Sequence, residues 1–235
     1  MKKIILSIFT SVVLFSCQSS IDGEGPGSVK KVIPVENIKS LEVSCNCNVT
    51  VIPGNENKVE VESHQNIIDN LEVNAKGNIL IIEEKSAVDK YNNYNVFVYT
   101  TRDLKDLEVN KLTNLKISGT LNTDELSLDI KDQAKISEAY IITNDFELKA
   151  QNQSQVTLQG TASSMELKAY DQANLDLSKF EVNDAKILTE DNVQLNINSR
   201  NSLVGEAKGT SVVNYLGDPR KDTKIADQAQ VVKKD

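Results

Sequence analysis

The chain has no tryptophan and only one histidine, His64, among its 235 residues. Metal sites that need several imidazole ligands are therefore excluded, and His64 itself is predicted to lie on the surface. Aromatic residues make up 5% of the sequence, which gives little support to an aromatic platform for sugar rings. Only four prolines and ten glycines are present, so we expect short loops.

No apolar stretch in the chain is long enough to cross a bilayer comfortably, since that takes about 20 residues. The stretch Ile4–Phe15 follows Lys2 and Lys3, and it is interrupted only by serine and threonine. A basic start followed by a short apolar segment is typical of a secretory signal peptide. We therefore expect residues 1–16 to be removed from the mature protein.

The expected signal peptide ends in Leu14-Phe15-Ser16-Cys17, with an apolar and a small residue before the cysteine. This order is typical of a lipobox, whose cysteine receives a diacylglyceryl group and becomes the new N-terminus. The alternative is an ordinary signal peptide with an incidental cysteine. Because two or more acyl chains hold a protein firmly to a bilayer, we expect Cys17 to be the lipidation site and membrane anchor. Gln18, by resemblance to other lipoproteins, favours the outer membrane and leaves open whether the periplasmic face or the cell surface displays the protein.

Residues 17–28 are predicted to form the lipidated cysteine and a flexible tether, because residues 18–28 are polar and rich in glycine and serine. Without residues 1–16 the chain keeps 24 basic and 34 acidic residues, a net charge near −10. This excess of acid argues against nucleic acid or anionic headgroups as partners. Residues 29–235 are left to form a single domain with a sizeable core.

With Cys17 expected to carry lipid, Cys45 and Cys47 are the two other cysteines of the chain. We expect them to lie in an oxidising compartment, where disulfides are common. They lie in residues 41–51, whose apolar and polar positions alternate, so both thiols fall on the buried face of a strand. A straight strand would separate their Cα atoms by about 6.6 Å, at the upper limit for a disulfide. Buried free cysteines and a kinked disulfide both stay open, whereas a metal site lacks further cysteine or histidine ligands.

A repeat of 18–21 residues runs through the second half of the chain. It is clearest in the similar segments Ala150-Gln-Asn-Gln-Ser154 and Ala169-Tyr-Asp-Gln-Ala173. We call the central residues of the repeats the marker row; they are Lys111, Asp132, Asn152, Asp171, Asp191, Gly209 and Asp227. A fixed period of this length predicts stacked coils of one structural unit.

Apolar residues keep a fixed distance from the marker row. Four positions after it stand Leu115, Ile136, Val156, Leu175, Leu195, Val213 and Val231. Four positions before it the apolar column runs from Leu107 to Ile187 and then fails at Gly205 and Thr223. Apolar alternation with a period of two around a repeated turn is typical of a β-solenoid, whose coils bury their inward residues together. We predict an all-β, parallel β-helix-like domain whose marker row is a ladder of turns with left-handed backbone angles.

The first half of the chain also predicts β-structure, but with less regularity. Turn signals occur chiefly at Pro53-Gly54-Asn55 and Lys76-Gly77-Asn78. The candidate strands between the turns are Val32–Val35, Leu41–Ser44, Cys47–Ile52, Lys58–Ser63, Asn78–Glu83 and Asn95–Thr101. No linker separates the halves, so a single domain is expected.

Little in the sequence suggests catalysis, and no catalytic residue is assigned. Asp171 and Asp191 would be neighbours in the stack, about 5 Å apart. Such a pair could hold Ca²⁺ with backbone oxygens or perform acid–base chemistry in a polysaccharide-cleaving β-helix, and solvated turn residues are the alternative. No other cofactor is indicated. Tyr91 and Tyr94, with the neighbouring asparagines, form either a small sugar-contact loop or a polar loop before a strand.

Several segments resemble the putative auto-transporter adhesin, head GIN domain family. They are Val29–Glu36, Leu41–Gly54 with its ending Val49-Thr50-Val51-Ile52-Pro53-Gly54, Asn78–Ile82 and Val212–Pro219. The resemblance covers about residues 29–220, and it departs from the family at Cys45-Asn46-Cys47, where a glycine is common. It implies a β-helix-like domain on a cell-envelope lipoprotein, with an adhesin-like role and no catalytic residues to carry over.

Two kinds of function compete on this sequence. The first is a non-enzymatic binding module that presents a solenoid face to a glycan or protein. The second is a carbohydrate-active β-helix enzyme, for which a cleft with clustered acids and bases is missing from the sequence pattern. A purely architectural envelope protein is a third possibility. The ligand itself cannot be named from the sequence.

Overall fold

The computed structural model describes residues 20–234, so the expected signal peptide and Cys17 lie outside the described part of the chain. The described chain is almost entirely β-structure, with one short helix, α1, at Gln65–Asn70. The strands of the first half are β1 Val29–Pro34, β2 Ser40–Ser44, β3 Asn48–Pro53, β4 Lys58–Ser63, β5 Leu71–Lys76, β6 Ile79–Glu84, β7 Asn95–Thr100 and β8 Asp106–Asn110. They are followed by β9 Asn114–Ile117, β10 Thr120–Asn122, β11 Glu125–Ile130, β12 Lys135–Ala150, β13 Gln155–Ala169, β14 Asn174–Thr189, β15 Gln194–Ala207, β16 Val212–Leu216, β17 Arg220–Ile225 and β18 Gln230–Lys233.

The strands stack as a β-solenoid of about six turns, which confirms the predicted fold class. In one parallel column, strands that precede the marker row lie in the order β6, β2, β8, β11, the last parts of β12 to β15, and β17. In a second column, strands that follow the marker row lie in the order β7, β3, β9, the first parts of β12 to β15, β16 and β18. The middle parts of the long strands form a third side of each coil, so one coil presents three outer faces.

The core is built from inward columns of apolar side chains, one residue from each coil. Of the seven positions after the marker row, six are at most 2% exposed and Val231, in the last coil, is half-buried. Each such aliphatic side chain contributes about 1.5–3 kcal/mol when it leaves water. The alternation predicted from sequence therefore defines the interior of the solenoid.

The predicted apolar column fails at Gly205 for a steric reason. This glycine has φ +129°, and a Cβ added to it would stand 1.9 Å from the carbonyl oxygen of Ile187 in the coil above. Gly160 repeats the arrangement against the carbonyl oxygen of Ile141, at 1.8 Å and φ +125°. At these two places the chain passes too close to its neighbour for any side chain.

The end of the solenoid nearer the N-terminus is closed by antiparallel strands. β4 pairs with β7 and with β1, and β5 pairs with β6, all antiparallel. The six predicted strands of the first half are confirmed to within three residues, whereas β5 and α1 were not predicted. The six residues of α1 are too few for a helical period to register in sequence.

The last coil carries lysines where the coils above carry apolar residues. Lys221 lies in register with the buried Leu203, and Lys233 lies in register with Tyr215. Lys233 pairs with Asp218 at 3.1 Å, and the ammonium of Lys221 lies 5.7 Å from the centre of the Tyr215 ring. Charged side chains at inward positions discourage further strand addition, so they blunt the open edge of the sheet.

Cys45 and Cys47 form a disulfide at a bend between β2 and β3, with 5.3 Å between their Cα atoms. The kinked alternative is therefore the one observed, because the bend shortens the distance expected for a straight strand. Both cysteines are buried, as predicted. In register, Cys45 occupies the place of Lys111 in the next coil, but without a positive φ. A disulfide thus makes the turn that a left-handed residue makes in the other coils.

Candidate functional site

The marker row forms the predicted ladder of turns. All seven of its residues have positive φ, between 58° and 67°. The residue two positions after each marker is small or apolar and buried at the inner side of the turn, as at Ala134, Ser154 and Ala173. Asparagine, aspartate and glycine tolerate this backbone conformation better than other residues do, which explains their recurrence in the row.

Hydrogen bonds join successive turns of the marker row. The N–H of Gln172 donates to the carbonyl oxygen of Asn152, and equivalent backbone bonds repeat down the row. Carboxylates add to them, since the Asp171 side chain accepts the N–H of Asn152 at 3.3 Å. Gly209 has no such side chain, because a Cβ there would stand 2.7 Å from backbone atoms of Asp191. The row is therefore a structural ladder.

Asp171 and Asp191 lie on adjacent coils in this row, as the sequence predicts, and both are exposed. The bond from the N–H of Asn152 occupies one carboxylate oxygen of Asp171. Within residues 20–234, no group of three or more histidine, cysteine, aspartate or glutamate side chains is arranged to hold a metal ion. Calcium binding by this pair stays a prediction without a ligand cage to support it.

A column of amide side chains runs along the outer face that follows the marker row; we call this surface the amide face. Strand register places nine residues in one line across the coils, and seven of them are asparagine or glutamine. In order they are Asn95, Asn48, Asn114, Lys135, Gln155, Asn174, Gln194, Val212 and Gln230. At about 4.8 Å for each step, the line is about 38 Å long. It is uncharged except at Lys135.

The two parts of the amide column differ in what they bond to. Near the first coils the amides bond to each other, with Asn114 donating to Asn48 at 3.2 Å. Further along, Gln155, Asn174 and Gln194 are exposed, and their side chains make no hydrogen bond to any residue within 20–234. Three consecutive coils therefore present both donors and acceptors to an external partner.

The outer face that precedes the marker row is charged instead, and we call it the charged face. Its lysines and carboxylates pair with one another across coils, as in Lys131 with Glu108 at 2.6 Å and Lys149 with Asp129 at 3.5 Å. The hydroxyl of Ser164 donates to Asp145 at 2.6 Å. A shallow depression of about 310 Å³ lies at one end, lined by residues that include Lys105, Asp106, Glu125, Asp145 and Glu147.

The charges of this face are mostly satisfied within the protein. The hydrogen bond from Lys131 lowers the pKa of the Glu108 carboxyl, and Asn110 adds to that effect. Lys168 and Lys186 lower the pKa of Glu166 in the same way. Exposed pairs of this kind contribute little to folding and are weakened by salt.

His64 is buried, with 3% of its surface exposed, so the predicted surface position is wrong. Its Nδ1 lies 2.9 Å from the carbonyl oxygen of Gly25, and the N–H of Asn92 donates to its Nε2 at 3.3 Å. Both contacts are satisfied together by the neutral tautomer that carries its proton on Nδ1. The ring is buried because residues 23–27 of the preceding segment cover it.

The loop between β6 and β7 is mainly structural. Tyr94 is fully buried, and Tyr91 packs edge-on against it at 5.6 Å between ring centres. Tyr91 donates to the side-chain oxygen of Asn46 at 3.4 Å, and the N–H of Asn46 donates to the buried Glu84 at 2.9 Å. Burial raises the pKa of Glu84, against the opposing effects of the Asn46 N–H and the Lys111 charge. These tyrosines are therefore not free to contact a sugar.

Residues 20–25 are bound to the domain, which differs from the flexible tether expected for residues 18–28. Ile21 forms a parallel bridge with Val88, donating its N–H to Ala87 and accepting the N–H of Asp89. The N–H of Gly23 donates to the carbonyl oxygen of Lys90 at 2.7 Å. We call residues 20–25 the docked segment. Gly23, one of the glycines that suggested flexibility in the sequence, allows close contact with His64 instead.

The predicted lipidation site, Cys17, lies outside the described residues. Among residues 20–234, no helix has the length and apolar character needed to cross a membrane.

Comparison with known protein families finds a matching family model. Residues 37–219 match the family model described as putative auto-transporter adhesin, head GIN domain. The chain belongs to this family. The resemblance seen in the sequence is thereby confirmed, and membership in an adhesin-like family points to the cell envelope or surface for this head GIN domain.

Solved structures share the architecture of this head GIN domain. A putative adhesin from Bacteroides fragilis NCTC 9343 has a TM-score of 0.82 and 14% identity, covering 91% of this chain and 99% of that chain. A putative lipid binding protein from Parabacteroides distasonis ATCC 8503 has a TM-score of 0.75 and 14% identity, covering 92% and 100%. A putative adhesin from Parabacteroides merdae ATCC 43184 has a TM-score of 0.68 and 13% identity, covering 92% and 99%. Identities this low establish a common fold, and no curated protein sequence matches the chain.

Proposed function

We propose that this head GIN domain is a lipid-anchored, non-enzymatic binding module of the cell envelope, which presents its amide face to an extended, hydroxyl-rich glycan. The observation that carries the proposal is the run of Gln155, Asn174 and Gln194. These side chains are exposed, lie in register on successive coils, and make no hydrogen bond to other residues of the described chain. Each amide offers two donors and an acceptor, which suits hydroxyl groups.

The chemistry of the two main faces favours the amide face as the binding surface. A hydroxyl-rich, uncharged chain gains little from lysines and carboxylates that already pair with each other. The free amides of the amide face have no hydrogen bond within the described chain that a ligand would have to break. Single contacts of this kind are weak, but a ligand that spans several coils makes them together, so its affinity grows with length.

The experiment that tests the proposal is a glycan array probed with the detergent-solubilised, full-length protein. We expect binding to neutral polysaccharides or long oligosaccharides, with affinity rising with chain length. Binding to acidic glycans alone, or to none, would contradict the assignment. A protein pull-down with the same material, if it alone gave a partner, would move the function to protein recognition.

The enzymatic alternative has its own test. We expect no release of reducing ends from any polysaccharide that binds, because carboxylates of the charged face pair with lysines on neighbouring coils, whereas glycoside hydrolysis needs two carboxyl groups free to act on the substrate. Release of reducing ends by the purified protein would support a carbohydrate-active enzyme instead. Blank results in all binding and turnover assays would favour an architectural role.

The envelope location is tested separately from the ligand. Protease treatment of intact cells should degrade the protein if it is displayed on the surface, and should leave it intact if it faces the periplasm. Mass spectrometry of the mature N-terminal peptide should find a diacylglyceryl group on Cys17.

A further inference from the structure

The docked segment fixes how far the solenoid can stand from its proposed lipid anchor. Residue 20 is the first described residue, and its neighbour Ile21 is hydrogen-bonded to the domain through Ala87 and Asp89. Three peptide units separate residue 17 from residue 20. A chain of that length spans at most about 11 Å. A flexible tether over residues 18–28, as the sequence suggested, would have allowed a far greater distance.

Contacts along the docked segment are numerous for six residues. Besides the Ile21 bridge, the N–H of Glu24 donates to the Asn66 side chain at 3.0 Å, and the Asn66 amide donates to the carbonyl oxygen of Asp22 at 2.7 Å. The His64 ring contacts the carbonyl oxygen of Gly25 at 2.9 Å. Backbone and side-chain bonds therefore hold the segment at both ends, and it does not act as free chain length.

The docked segment lies at the end of the solenoid that the antiparallel strands close. Ile21 pairs with Val88, whose carbonyl oxygen accepts the side-chain amide of Asn46 at 2.9 Å, and Asn46 lies at the turn that precedes Lys111 in the stack. The segment thus adds one more layer to the row of turns. The opposite end, with β17 and β18, lies eight strand spacings from β6, or about 38 Å.

We infer that this end of the domain, around Ile21, Lys85, Asp89 and Lys90, lies against the headgroup layer of the membrane, and that the solenoid stands upright with β17 and β18 farthest from the bilayer. This inference rests on the lipid anchor at Cys17 that the proposed function includes. The short connection between residues 17 and 20 holds this end of the domain close to the lipid headgroups. The amide column runs along the stack of coils, so it would extend away from the membrane, where a glycan can reach it.

The charges of the membrane-facing end fit this arrangement. Its exposed lysines include Lys30 and Lys31 of β1 as well as Lys85 and Lys90, and acids accompany them: Lys30 pairs with Glu62 at 3.5 Å and Lys90 with Asp22 at 3.6 Å. The described residues of this end therefore mix both signs of charge, unlike the purely basic clusters that bind anionic lipids. The partner is therefore a zwitterionic headgroup surface, which the covalent anchor brings into contact.

Spin labels on the full-length protein test the orientation. The lipidated protein is reconstituted into phosphatidylethanolamine and phosphatidylcholine vesicles that carry a paramagnetic chelate on a fraction of the headgroups. A label at Asp89→Cys is compared with a matched label at Lys224→Cys on β17, since both side chains are exposed. We expect several-fold stronger relaxation enhancement at position 89, and a value at position 224 close to that in vesicles without chelate.

A second variant tests whether the short connection to the lipid, and not the lipid anchor alone, holds position 89 near the membrane. An insertion of about 12 Gly/Ser residues between Ser19 and Ser20 adds a root-mean-square reach of about 20 Å, so we expect it to abolish most of the enhancement at position 89. Circular dichroism checks that each variant is folded, and mass spectrometry checks the lipid. A protein without lipid on Cys17 would overturn both the anchor and this inference. A lipidated protein with equal enhancement at the two positions would overturn the orientation alone.

Discussion

Gly23 lies directly against the ring of His64, so that a Cβ at position 23 would stand 2.4 Å from Cδ2 of the histidine. The ring cannot easily move, because the carbonyl oxygen of Gly25 and the N–H of Asn92 hold its two nitrogens. This contact connects the sole histidine of the chain with the segment that leads to the proposed anchor.

The first prediction concerns the docked segment. Gly23→Ala should displace residues 20–25 and expose His64, since the added methyl group collides with the ring. We expect faster amide hydrogen exchange at Ile21, Gly23 and Asp89, and a loss of about 1 kcal/mol in unfolding free energy. Glu24→Ala is the matched control, because the side chain of Glu24 is exposed. Unchanged exchange in Gly23→Ala would show that the segment does not dock in this way.

The second prediction concerns the close approach of neighbouring coils. Gly160→Ala should destabilise the protein by about 3 kcal/mol or more, because the position combines a positive φ with a contact to the Ile141 carbonyl oxygen. Gly54→Ala, at a turn with open space around the added methyl group, should change stability by less than about 0.5 kcal/mol. Chemical denaturation measures both. Equal effects would contradict the steric account of Gly160.

The third prediction concerns the disulfide. Replacing both cysteines, as Cys45→Ala with Cys47→Ala, should cost about 1–2 kcal/mol, since a bond that closes so short a loop restricts the unfolded chain only modestly. The register of β2 and β3 should survive, because Thr113 still bonds the backbone of residue 45 from the next coil. Urea unfolding and circular dichroism measure these outcomes. Loss of the fold would show that the turn depends wholly on the disulfide.

The fourth prediction concerns pH and Glu84. Burial raises the pKa of this carboxyl above 4.5, so the folded state holds the proton more tightly than the unfolded state does. Stability should therefore fall as the pH rises from about 4.5 through the raised pKa of the folded state. Glu84→Gln should remove this dependence while its amide oxygen still accepts the N–H of Asn46. Glu83→Gln, at an exposed neighbour, is the control, and parallel pH profiles for the wild type and Glu84→Gln would refute the prediction.

Much of the solenoid could be predicted from the spacing of apolar residues around the marker row. The residues at Asp132, Asn152 and Asp171 indicated left-handed turns because few other residues tolerate that backbone conformation. Gly205 interrupts the apolar column, and the cause, its close approach to the carbonyl oxygen of Ile187, is visible only in the folded structure. The local sequence pattern predicts such repeats, because each coil pairs with neighbouring coils of similar sequence in the same chain.

Features that depend on contacts between distant segments could not be predicted in this way. The composition of residues 18–28 is that of a linker, and nothing local shows that Ile21 pairs with Val88 or that Gly23 covers His64. The Cys45–Cys47 disulfide depends on a bend that the alternation of residues 41–51 does not indicate. The amide face emerged only after strand register aligned Gln155, Asn174 and Gln194, which are 19 and 20 residues apart.

The fifth prediction tests the central claim, that the amide face is the binding surface. Gln155→Ala combined with Gln194→Ala should weaken binding to the glycan found by array by about 5- to 150-fold, because each of the two lost contacts costs about 0.5–1.5 kcal/mol. Gln159→Ala is the matched control, since Gln159 is an exposed glutamine of the same strand on another face. Isothermal titration calorimetry of the three proteins measures this most directly. The account predicts weaker binding for the double variant and wild-type affinity for the control; equal affinity in all three would contradict it.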